Sequence, residues 1–83
     1  MPRYFFHMRN GEVERDRSGV ELPDDECVRA ESVRAFAEAL EDDPAGFWET
    51  GMRELTVTDG DGLTLFALNL SVTEAPAMSR PKS

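Results

Sequence analysis

The chain opens on residues 3–8, Arg-Tyr-Phe-Phe-His-Met, an aromatic-rich run without a breaker. Such a run predicts a strand with bulky residues on both faces. Alternation puts Tyr4, Phe6 and Met8 on one side and Phe5 and His7 on the other. Asn10-Gly11 then suits a two-residue hairpin turn. The return segment, residues 12–16, has one apolar residue, Val13, and is readable only as an edge strand. Val20-Glu21-Leu22 alternates briefly after Ser18-Gly19.

A helix follows. Asp24 is placed to cap it, Asp25 and Glu26 complement its dipole, and Pro44 ends it after Glu41–Asp43. Ala30, Val33, Ala37 and Leu40 recur at helical spacing, with Cys27 and Phe36 beside that stripe. One apolar stripe predicts one packed face, so the helix lies on a sheet. Residues 44–51 read as a loop carrying Phe47 and Trp48. Residues 53–58 alternate Leu55 and Val57 against Thr56 and Thr58. Asp59-Gly60-Asp61-Gly62 is a turn, and residues 63–70 form a long apolar strand.

These elements predict one α+β domain over residues 1–74: a two-layer sandwich, β-β-α-β-β, with a four-stranded, mostly antiparallel sheet and one helix on one face. Residues 75–83, with Pro76 and Pro81, read as a disordered tail. Two fully antiparallel strand orders exist, 2-1-3-4 and 1-2-4-3. The second buries the polar strand around Val13, which its composition opposes. A mixed order, 2-1-4-3, centres both apolar strands at the cost of a parallel pair. The first order is favoured, and it leaves the strand at 63–70 on a free edge. Because strands 3–8 and 63–70 are apolar on both sides, the uncovered face should carry Phe5 or Tyr4, and Leu65 or Phe66.

Charge narrows the function classes. The 83 residues carry a net charge of −8, and residues 21–54 hold eleven acids against three arginines. An acidic chain repels phosphate, so binding through the nucleic-acid backbone is not expected. No apolar run reaches the ~18 residues of a membrane span. The start is too soon polar for a signal peptide, and one cysteine, Cys27, fits a reducing compartment. The expected location is therefore the cytoplasm.

Little in the sequence points to catalysis. A Cys27–His7 pair is the one nucleophilic combination available. Yet Asp24, Asp25 and Glu26 surround Cys27 and oppose thiolate formation. Cys27 reads as a small packed residue, and His7 as a strand histidine with its hydrogen bonds satisfied. The Asp59–Gly62 segment lacks the ligand spacing of a calcium loop, because Leu63, Ala67 and Leu70 stand where oxygen ligands belong. One histidine and one cysteine do not make a zinc site. The isolated glycines build no phosphate cradle. No enzyme activity, cofactor or metal is expected.

The opening Met1-Pro2-Arg3-Tyr4-Phe5-Phe6-His7 resembles the start of a family of small alphaproteobacterial proteins known as a domain of unknown function. The resemblance continues through Gly19, Glu21-Leu22-Pro23-Asp24 and the Ala/Glu/Arg-rich helix. It resumes at Leu55-Thr56-Val57-Thr58-Asp59 with Asp61-Gly62 and the last strand, and so spans residues 1 to about 70. It implies a bacterial, cytoplasmic origin and supplies no activity or cofactor. The expected function is a small interaction module that forms a homodimer through its sheet, with Leu65, Phe66 and Leu68 at the contact. Two alternatives remain: a regulatory protein that meets a basic partner through the acidic helix and Phe47-Trp48, and a small-ligand binder with a pocket beneath the 44–51 segment.

Overall fold

The computed structural model describes residues 1–79. Its elements are β1 (Arg3–Arg9), β2 (Val13–Glu14), β3 (Val20–Glu21), α1 (Asp25–Asp42), α2 (Pro44–Thr50), β4 (Met52–Thr58), β5 (Thr64–Ser71) and α3 (Pro76–Ser79). The fold is α+β: an open antiparallel sheet with one long helix packed on it. The sheet order is β2-β1-β4-β5, and β3 also pairs with β1, making five strands where four were expected. The apolar strand β5 lies at the edge, as the favoured order requires.

The fifth strand arises because the polar segment after β1 pairs with it in two pieces. β2 pairs with Met8 and Arg9, and β3 with Arg3 and Tyr4. Between them the ladder is interrupted, and the Asp16 carboxylate accepts the backbone N–H of Phe6 at 3.1 Å. A side chain thus replaces a missing strand residue. The β1–β2 connection is three residues, 10–12, rather than two, because Arg9 pairs with Val13.

Tyr4, Val28, Leu55 and Val57 form the buried core, with Phe6, Met8, Leu22, Phe36, Phe66 and Leu68 packed around it. The alternation predicted for β1 and β4 therefore holds. The predicted stripe of α1 does not. Val28 and Ser32 are the buried positions, while Ala30 and Ala37 are exposed and Val33 is 60% exposed. The helix is turned so that a serine faces the core. Ser32 meets the cost of burial by donating its hydroxyl to the Arg29 carbonyl at 2.7 Å.

Residues 44–50 are helical, not a loop. The Asp43 carboxylate accepts the Gly46 N–H at 3.0 Å, and Pro44 occupies the first turn, where no N–H is needed. Gly51, at φ 74°, closes the helix with its N–H on the Phe47 carbonyl. In the region expected to be a disordered tail, Pro76–Ser79 form a single helical turn, and residues 80–83 lie outside the described residues.

Candidate functional site

Among the described residues β5 pairs only with β4, so its outer edge presents backbone groups unpaired there. Its eight residues, Thr-Leu-Phe-Ala-Leu-Asn-Leu-Ser, include no charge and no proline. Those are the residues that ordinarily protect an edge from pairing. α1 sits over β1 and β4 and leaves the β5 side of this face partly open. A shallow hollow of about 180 Å³ lies there, lined by Asp25, Val28 and Arg29 of α1 and by Leu65 and Phe66.

A bulge explains why Leu65 and Phe66 share that hollow. Val57 pairs with Phe66 and Thr58 with Thr64, so Leu65 is an extra residue in β5. The expectation that one of the two must point away from the helix is therefore wrong. Leu65 is 46% exposed and Leu70 40%, while Phe66 and Leu68 are half-buried against the core. Following Asp25 and Arg29 along α1 at 3.6 residues per turn leads to Val33, Phe36 and Leu40 on the same flank. Glu31, Glu38 and Glu41 turn away from it.

The opposite face of the sheet is more polar than anticipated. Phe5 is its one large apolar side chain from β1, and Tyr4 faces the core. Register brings His7 beside Thr56 and Ala67, and Arg9 beside Glu54 and Asn69. Such a face tolerates water.

His7 is held at both ring nitrogens. Its Nδ1 accepts the backbone N–H of Asp16 at 3.1 Å, so the proton sits on Nε2, 3.1 Å from the Thr58 hydroxyl. Burial opposes ionisation of Asp16, but the N–H groups of Gly19, Phe6 and Ser18 together outweigh it and, with His7, hold the carboxyl below its ordinary range. Cys27 lies on α1, across the sheet from His7, so the two form no dyad. A hydrogen bond with Asp24, then burial, then the charges of Asp24 and Glu26 push the Cys27 thiol up, away from a nucleophile. Among the described residues no three His, Cys, Asp or Glu side chains gather as for a metal ion.

The aromatic pair divides. Phe47 is buried, while Trp48 is 62% exposed and meets Phe47 edge-on with centroids 5.8 Å apart. The sequence treated them as one unit, and helical geometry separates them by 100°. No pattern in the sequence marks Arg53. It is 4% exposed on the core side of β4, its Nη1 reaches the Ala39 carbonyl at 3.5 Å, and its Nε and Nη2 have no partner among the described residues.

The profile of one family, a domain of unknown function (DUF6894), matches residues 3–71. The chain belongs to this family. No curated protein and no solved structure matches the chain. The DUF6894 match runs from the start of β1 to the end of β5, so the His7–Asp16 junction, the β5 edge and α2 all fall within the family domain. α3 falls outside it. No described helix is long and apolar enough to cross a membrane.

Proposed function

We propose that this domain is a non-catalytic interaction module that pairs with a second copy of itself along β5. The observation that carries this reading is the uncharged, unprotected edge of β5 beside the exposed apolar residues Leu65, Leu70 and Val33. A second copy suits it better than an unrelated partner, because the edge is self-complementary. Antiparallel pairing of β5 with β5 places neutral residues opposite neutral residues and satisfies both rows of N–H and C=O groups. The same pairing brings the Val33–Phe36–Leu40 flanks of two α1 helices together, with Glu31, Glu38 and Glu41 on the outside. Light scattering across a concentration range tests it: a dimer for the native chain, a monomer for Leu65→Lys.

The exposure of Trp48 supports a second reading, in which α2 and the acidic face of α1 contact a basic protein. Reversing Glu31, Glu38 and Glu41 to Lys then abolishes that contact and leaves the fold intact; retained binding counts against it. We infer a bacterial cytoplasmic location for the domain, a reading its single free cysteine supports.

A further inference from the structure

The face of the sheet opposite α1 holds a concavity of about 450 Å³, a size suited to a small organic molecule. Its floor includes Phe5 and His7, whose rings lie within 7° of parallel with centroids 6.4 Å apart. Both rings are fixed before any ligand arrives. His7 is bonded at both nitrogens, and Phe5 is backed by Gly19, where an added Cβ would stand 2.9 Å from the Phe5 ring. With both its nitrogens engaged, His7 offers a rigid π surface rather than a proton donor or acceptor. Rigid aromatic surface lowers the entropic cost of binding a flat molecule.

Charge selects the kind of molecule. Arg9 and Arg15 line the concavity from the β2 side, and Glu54 and Asp59 also border it. The ion pairs found among the described residues, Arg3–Glu21 and Arg34–Glu31, use neither arginine. Asp59 braces its own turn, its Oδ1 accepting the N–H groups of Asp61 at 2.9 Å and Leu63 at 3.0 Å, and it keeps its negative charge. Glu54 stands opposite Arg9. Two guanidinium groups set against the Glu54 and Asp59 carboxylates leave no excess of positive charge for a dianion such as phosphate, so an acid is held here by direct contact with the guanidinium groups. Guanidinium also matches the two oxygens of a carboxylate.

We propose that this concavity is a binding site for a small aromatic carboxylate, with the acid group on Arg9 and Arg15 and the ring against Phe5 and His7. The site lies away from the β5 edge, so it is independent of self-association. An NMR titration of the full chain tests it, with indole-3-acetate, tryptamine and acetate as probes. Indole-3-acetate should give saturable shifts at the amides of Phe5, His7 and Thr56. Tryptamine, which reverses the charge, and acetate, which lacks the ring, should each bind at least about tenfold more weakly. Arg15→Gln, at an exposed position, should weaken indole-3-acetate about tenfold as well, and Leu65→Lys should leave it unchanged. Absence of saturable shifts, equal binding of tryptamine, or an unaltered Arg15→Gln affinity overturns the proposal.

Discussion

Asp16 and His7 hold each other in opposite senses: the Asp16 backbone N–H donates to His7 Nδ1 at 3.1 Å, while the Asp16 carboxylate accepts the N–H of Phe6, the residue before His7. The same carboxylate accepts the N–H groups of Ser18 and Gly19, each at 3.1 Å. One side chain therefore joins β1 to the turn before β3. Asp16→Ala should lower stability by about 1.5 kcal/mol or more, toward the low end for a charged acceptor because Asp16 keeps contact with water. Urea unfolding measures this. A loss within experimental error would mean that water replaces the carboxylate without cost.

The lowered Asp16 pKa fixes a sign. A carboxyl below its ordinary value of 3.8 in the folded state adds stability that is complete above that value and is lost as pH falls through the folded pKa. Asp24 shifts in the same direction, held down by its bond to the Cys27 N–H. The difference between native and Asp16→Asn curves isolates Asp16: it should shrink as pH falls below 3.8. A difference that grows on acidification would contradict the assignment.

Gly19 sits at φ 69°, and a Cβ there would lie 2.8 Å from the Tyr4 carbonyl oxygen, a backbone atom that cannot turn aside. Gly51, at φ 74°, has nothing within 4 Å of the same position. Gly51→Ala should cost about 1 kcal/mol, the conformational penalty alone. Gly19→Ala should cost more than about 2 kcal/mol, because a clash is added. Thermal unfolding of the two variants compares them directly, and equal losses would mean the β1–β3 approach relaxes easily.

Several of these relationships were out of reach of sequence reasoning for identifiable reasons. Runs such as β1 and β5 announce themselves through alternation and aromatic content, and the capping Asp24 through its place before a periodic segment. β2 and β3 have two residues each and no period to detect. α2 was hidden because Pro44, Gly46 and Gly51 read as breakers, although proline and glycine also mark where a helix begins and ends. Ser32 concealed the true face of α1, since a polar residue is not counted in an apolar stripe. The Leu65 bulge shifted β5 by one residue, which no alternation pattern registers. Of the residues singled out for interaction, Trp48 and Leu65 are open to a partner, Phe66 and Leu68 are half-buried, and Phe47 is spent on packing.

Phe47 and Trp48 should separate experimentally. Phe47→Ala empties a buried site and should cost about 3 kcal/mol. Trp48→Ala should change stability by no more than about 0.5 kcal/mol. Denaturant midpoints of both variants decide it, and a large loss at Trp48 would place that side chain in the core.

Arg53 should be replaceable. Two buried guanidinium nitrogens without partners among the described residues cost more than the long contact to Ala39 returns, so Arg53→Met should hold stability or raise it by about 1 kcal/mol. A loss of that size in urea unfolding would mean that the guanidinium finds another partner in solution.

Pairing along β5 doubles the mass of the protein in solution. Light scattering at two protein concentrations tenfold or more apart should give twice the chain mass for the native protein. Leu65→Lys and Val33→Lys, both at exposed positions, should remain folded and give the mass of one chain. A native protein that stays monomeric at both concentrations, or lysine variants that stay dimeric, would contradict pairing along this edge.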